Sequence, residues 1–266
     1  MPSTESDIRS RLPAVAGLFY PDDPYELQAV IRGFLDAVRP MSTRPKALIV
    51  PHAGYVYSGA VAATAYRCLV DADPPISRVV IAGPSHRIPV PGIAVPECAA
   101  FETPLGRVPI DVAVVGQLMR LPHVLGSNVA HRLEHSLEVQ LPFLQVTLGG
   151  FSIVPLAVGE AAPSVVARVL EACWGGPETL VVVSTDLSHY RDYATARSLD
   201  EATASALVSK ADDLGDEQAC GCRVLNGLMR LVRRKELCVD LLDLRNSGDT
   251  SGDRSRVVGY GAFAIH

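Results

Sequence analysis

Short apolar runs, each followed by a histidine and the first two closed by proline or glycine, recur along this chain. Ala47-Leu-Ile-Val-Pro-His-Ala-Gly-Tyr55 is the first, Val79-Val-Ile-Ala-Gly-Pro-Ser-His86 the second, and Leu180-Val-Val-Val-Ser-Thr-Asp-Leu-Ser-His189 the third. Runs of this length, rich in Val and Ile, read as strands buried on both faces. Phe151 to Val158, Cys238 to Leu244 and Val257 to Ile265 read as further strands. The prolines and short apolar pieces of residues 88 to 110 suggest edge strands or hairpins.

Between the strands the apolar spacing is helical. Asp22 and Asp23 cap a helix from Pro24 to Val38, with Leu27, Ile31, Phe34, Leu35 and Val38 on its apolar face. Gly54 to Gly59 reads as a turn feeding a helix from Ala60 to Val70, and Asp111 caps one that runs to Leu121. Pro122 to Glu134 reads as loop, followed by a helix from His135 to Leu148 with Leu137, Leu141, Leu144 and Leu148 on one face. Pro163 to Trp174, Tyr193 to Val208 and Arg223 to Arg234 complete the helices. Strands alternating with helices predict an α/β sandwich with a central, mostly parallel or mixed sheet flanked by helices. Residues 1–12 read as a loose arm and 13–266 as a single domain. Sites in such sheets lie outside the carboxyl ends of the strands, so three strand-end histidines should face one edge.

Composition narrows the class. At 48% apolar residues the 266-residue chain has enough for a real core, and no polar linker divides it. The net charge is -5, and the one cationic run, Arg230 to Lys235, falls at a helix end where cations suit the dipole. We therefore expect no nucleic-acid partner. The amino terminus lacks the pattern of a secretory signal, and no apolar run approaches about eighteen residues, so no membrane span is expected. Six cysteines in a chain of this length do not form a disulfide framework, which suggests a reduced, cytoplasmic protein.

Candidate chemistry gathers on the histidines. His52, His86 and His189 at matched strand ends suggest a metal site, because rigid strand ends hold imidazoles at fixed geometry. On residue types alone, two imidazoles need a further ligand from Asp186, His189, His135, Glu134 or a cysteine. Cys220 is the best-placed cysteine, since it precedes a predicted helix whose amino terminus would lower a thiol pKa. Asp186 and His189 are spaced so that the carboxylate could orient the imidazole for proton transfer. Glu134-His135 reads as a helix entry, with a pocket role for His135 as the alternative, and Tyr55 and Tyr57 either line the pocket or pack.

Taken in order, these motifs resemble the Memo family, also called AmmeMemoRadiSam system protein B. The matching segments are Pro51-His-Ala-Gly-Tyr55, Gly83-Pro-Ser-His86, Glu134-His-Ser-Leu-Glu138 with Leu141-Pro142, Ser184-Thr-Asp-Leu-Ser-His189 and Cys220-Gly221. The resemblance spans nearly the whole chain. It implies a fold similar to class III extradiol dioxygenases, which hold Fe(II) with two histidines and a glutamate. By that resemblance His52 and His86 are metal ligands and Cys220 stands in the place of the glutamate. His189 and Asp186 fall at the acid–base positions, and Tyr55, Ser85 and His135 are the expected substrate-binding residues. Cysteine for glutamate makes a softer site, suited to copper or zinc as well as iron.

The favoured function is a metal-dependent oxidoreductase using iron or copper on a small molecule or O₂. A radical-SAM system partner is implied by the family resemblance. A non-catalytic metal-binding or protein-interaction module and a metal-assisted hydrolase are the alternatives; the Gly-x-Ser-x-Gly elbow of a serine hydrolase is absent.

Overall fold

Four parallel strands at the middle of one sheet decide where the rest of the chain lies. The computed structural model describes residues 10–39, 44–70, 73–250 and 252–266. In chain order its strands are β1 (Ala47–Val50), β2 (Arg78–Pro84), β3 (Ile93–Val95), β4 (Ala100–Thr103), β5 (Gly106–Pro109) and β6 (Val124–Gly126). β7 (Ser152–Val158), β8 (Thr179–Ser184), β9 (His189–Arg191), β10 (Val239–Asn246) and β11 (Val257–Ile265) follow. The helices are α1 (Pro24–Asp36), α2 (Tyr55–Tyr66), α3 (Val112–Leu118), α4 (Asn128–Arg132) and α5 (His135–Glu138). They continue as α6 (Leu141–Thr147), α7 (Pro163–Ala172), α8 (Tyr193–Val208) and α9 (Cys222–Arg234).

The main sheet runs β10-β11-β1-β8-β2-β7-β3-β6, with β9 paired to β11 beside that path. β1, β8, β2 and β7 are mutually parallel, and β11 lies antiparallel to both β1 and β10. β3 is antiparallel to β7 and parallel to β6. Every residue of β1 and β8 is buried, because helices cover both faces of this part of the sheet. The mixed α/β sheet flanked by helices is the architecture the apolar pattern predicts. β4 and β5 form a separate hairpin within the proline-rich stretch.

Local chemistry explains the element boundaries. The Asp23 carboxylate accepts from Tyr25 N–H and Glu26 N–H at 2.9 Å each, while Pro24 occupies the first turn of α1. Leu27, Ile31 and Leu35 then turn inward. α2 begins at Tyr55 and not at Ala60, so the segment expected as a turn is the helix's opening. Gly59 serves packing there: a Cβ on it would lie 2.5 Å from the Phe34 ring of α1.

The helix expected from His135 to Leu148 is broken between α5 and α6. Pro142 has no N–H to return to Glu138 and its ring crowds that carbonyl, so the chain restarts with proline in the first turn. The stretch expected as loop over 122–134 holds β6 and α4, both too short for a periodic signal. Ser127 caps α4 by accepting from Ala130 N–H at 3.2 Å. Residues 1–9 of the expected arm lie outside the described residues. Where it is described the arm is docked: Arg11 is buried, bridges to Phe101 and pairs with Glu138.

Candidate metal centre

β8 lies between β1 and β2, and that adjacency builds the site. His52 follows β1 by two residues and His86 follows β2 by two, so they flank the end of β8. Three consecutive residues there, Ser184, Thr185 and Asp186, are all buried. Each of them holds part of the site.

Asp186 Oδ1 accepts from His52 N–H at 2.7 Å, and its other oxygen lies 4.0 Å from His52 Nε2. Thr185 Oγ1 accepts from Gly221 N–H at 2.9 Å and lies 3.7 Å from Cys220 Sγ. Gly221 is confined by that contact, since a Cβ would lie 2.7 Å from Thr185. Asp186 N–H donates to Cys220 Sγ at 3.3 Å. Ser184 Oγ lies 2.9 Å from His52 Nδ1.

His86 is held from the other side. The buried Glu134 carboxylate accepts from His86 N–H at 2.6 Å and faces His86 Nδ1 at 3.0 Å. It also accepts from Ser136 N–H at 2.9 Å, which caps α5. Burial by itself would raise the Glu134 carboxyl, but the hydrogen bonds from His86 and the backbone outweigh it and bring it down to about 2.

The result is a cluster. His52, His86 and Cys220 each offer a ligand atom, all within 4.8 Å of one another, and His52 Nε2 is 3.4 Å from Cys220 Sγ. The rings of His52 and His86 are 5.1 Å apart. His135 joins them, its ring 5.4 Å from His52 and 4.8 Å from His86, with Phe19 against it at 5.0 Å. A second group of ligand atoms within 4.8 Å is formed by His86, Glu134 and His135.

The donor set fits a transition metal. Bonds of about 2.0 Å to nitrogen and about 2.3 Å to sulfur place tetrahedral ligand atoms roughly 3.3–3.6 Å apart, close to the His52–Cys220 separation. His52 and His86 each have Nδ1 beside a Ser184 or Glu134 oxygen, which leaves Nε2 as the nitrogen a metal could take, that of His52 already facing Cys220 Sγ. Burial, followed by the neighbouring His86, drives His52 down to about 3, so its ring is neutral and able to ligate at neutral pH. His135 is brought down to about 4 by burial and by His52.

Several expectations change here. The Cys220 thiol is not lowered: burial and the Asp186 carboxylate push it up to about 12. α9 begins at Cys222, so Cys220 precedes its cap and gains little from the helix dipole. A metal would therefore displace a proton from this thiol. Tyr55 does not line the pocket. It is buried, donates to Val139 O at 2.7 Å and packs on Phe143 at 5.0 Å.

His189 lies apart from the ligand cluster, half-buried at the start of β9 and paired with Val258 of β11. It lies within electrostatic range of Asp186 and His52. Among the described residues, however, the Asp186 carboxylate takes its hydrogen bond from His52 and none from His189. Ser85 donates to Ile88 O at 2.7 Å and, with Cys220, lines a cavity of about 260 Å³. Cys222 turns away and donates to Asp216 at 3.0 Å.

Sequence reasoning weighed Glu134 as a ligand or a helix entry and not as the carboxylate that holds His86, and it missed Ser184, Thr185 and Gln140 behind His52 and Cys220. One signal was available. Glu138 and Gln140 alternate with Leu137, Val139 and Leu141, and polar residues inside so apolar a stretch must find buried partners.

Comparison with known proteins agrees with this architecture. The family model described as "Memo-like protein" matches residues 11–264. A "MEMO1 family protein" of Aquifex aeolicus is 35% identical, covering 95% of this chain and 98% of its own length. Relatives of the same description from Ignicoccus hospitalis and Archaeoglobus fulgidus are each 36% identical. They cover 95% and 96% of this chain and 97% and 99% of their own. An uncharacterized protein from Escherichia coli K12 has a similar fold at TM-score 0.52 and 14% identity, over 82% of this chain and 98% of that one.

Proposed function

The chain belongs to the Memo-like protein family, and from that premise we propose that it is a metal-dependent oxidoreductase acting on a small molecule or O₂. The observation that carries this reading is the convergence of His52, His86 and Cys220 with both histidine Nδ1 atoms already engaged. These three residues would hold iron or copper. When bound, such a metal supplies electron transfer, for which a set of two imidazoles and one thiolate is suited.

The chain's own groups supply the rest. Asp186 fixes the His52 backbone and hydrogen-bonds the sulfur through its N–H. Burial raises the Asp186 carboxyl, against the hydrogen bond from His52 N–H. Phe19 packs its ring against His135 at the edge of the histidine cluster. His189, reached from the same β8 turn, is the proton-transfer group in this scheme.

The test is to load apo-protein separately with iron, copper and zinc and to follow oxygen uptake over a panel of catechols with a reductant. Uptake with iron or copper and none with zinc is expected, since zinc has no redox chemistry. Tight zinc binding with no uptake under any loading would favour a non-catalytic metal-binding module. His189→Ala should keep its metal stoichiometry and lose most of the turnover. Metal loss as complete as that of His52→Ala would instead make His189 a ligand.

A further inference from the structure

Behind His52 lies a closed chain of hydrogen bonds whose direction can be worked out atom by atom. Gln140 is buried between Tyr66, Pro51 and Ser184. The Pro51 carbonyl can only accept, so the atom 3.0 Å from it is the Gln140 amide nitrogen. Gln140 Oε1 then accepts from Tyr66 O–H at 2.8 Å. The second N–H of Gln140 donates to Ser184 Oγ at 2.8 Å.

Ser184 has one hydroxyl proton. The Ser136 carbonyl, 2.6 Å away, can only accept, so that proton points to Ser136. Ser184 Oγ therefore has only a lone pair left for His52 Nδ1 at 2.9 Å. His52 must donate there.

We propose that Gln140, acting through Ser184, is a positioning residue that locks His52 in the Nδ1–H tautomer and turns a bare Nε2 toward Cys220. The metal reading is the premise for what this lock is for; the tautomer itself stands without it. His86 is locked the same way, but by the Glu134 carboxylate. The two histidines thus differ in partner: His86 Nδ1 faces an anion, whereas His52 Nδ1 donates to a neutral hydroxyl. Removing one link frees a specific proton. In Ser184→Ala, His52 Nδ1–H has no acceptor. In Gln140→Leu, Ser184 loses the donor that fixes its lone pairs.

The experiment uses full-length protein and zinc as a diamagnetic probe. A two-bond ¹H–¹⁵N correlation spectrum of metal-free wild-type protein should show His52 as the Nδ1–H tautomer; the Nε2–H form would overturn the proposal without any variant. Ser184→Ala should lose that signature and bind zinc roughly 10–100-fold more weakly in chelator competition, as loss of a ligand's outer partner does elsewhere. Gln140→Leu should fall between it and wild type. Ser184→Thr, which keeps the hydroxyl, should recover the tautomer and most of the affinity. Unchanged zinc affinity in both Ser184→Ala and Gln140→Leu would overturn the positioning role. Failure of wild-type protein to bind zinc, iron or copper would overturn the metal reading, with the spectrum still deciding the tautomer.

Discussion

Cys220→Ser should strip the metal or weaken its binding by orders of magnitude, while Cys222→Ser should leave it nearly unchanged. Only Gly221 separates the two cysteines, but their surroundings are opposite. Cys220 Sγ lies 3.4 Å from His52 Nε2 and receives an N–H from Asp186. Cys222 is 4% exposed and its sulfur donates to Asp216 on the other flank. Serine at 220 offers a neutral hydroxyl where the site is built around a sulfur that ionises on binding. Metal content after dialysis and affinity by chelator competition measure the difference. Equal loss in both variants would count against Cys220 as the ligand.

Glu138→Ala should lower folding stability by about 3–5 kcal/mol, the range seen when one member of a buried ion pair is removed. Glu138 is 0% exposed, and its carboxylate gathers the segment that leads into α1. It pairs with Arg11 and accepts from Ala14 N–H at 2.8 Å, Val15 N–H at 3.0 Å and Tyr20 O–H at 2.6 Å. Truncation leaves a buried guanidinium and two backbone donors without their acceptor. Replacing Arg11 as well should recover only part of the loss, because Ala14 N–H and Val15 N–H stay stranded. Urea unfolding of the single and double variants separates these contributions. A loss under about 1 kcal/mol for Glu138→Ala would mean that water or another group takes the carboxylate's place.

The parallel strands and the long helices were legible because burial on both faces leaves a continuous apolar run, and α8 spans the expected Tyr193–Val208. β6 and α4 were not, since elements of three and five residues carry no period. In the site, the histidines stood out by type and by their place after a strand. Their order in space depended on the strand sequence β1-β8-β2, which a linear pattern does not contain. Cys220 was legible by motif but its thiol was misjudged, because proximity to a helix start is visible in sequence and burial beside Asp186 is not. Tyr55 illustrates the same limit. Its position beside His52 suggested the pocket, and only the packing of α2 shows the ring facing Phe143.

The crossed placement of the ligands has a consequence for how this protein survives unfolding. His52 and Cys220 are separated by 168 positions along the chain, yet their donor atoms sit in contact. A random coil cannot present them together, so an ion recognising all three donors binds the native state almost exclusively. Occupancy then adds to the unfolding free energy by mass action, about 2.7 kcal/mol when the free ion is at 100 times its dissociation constant. The carboxyl ends of β1 and β2 and the segment leading into α9 would be joined by that ion across a stretch where the sheet's own hydrogen bonds have already ended. The ion would act there as a non-covalent cross-link, and its supply would set how long the native chain persists.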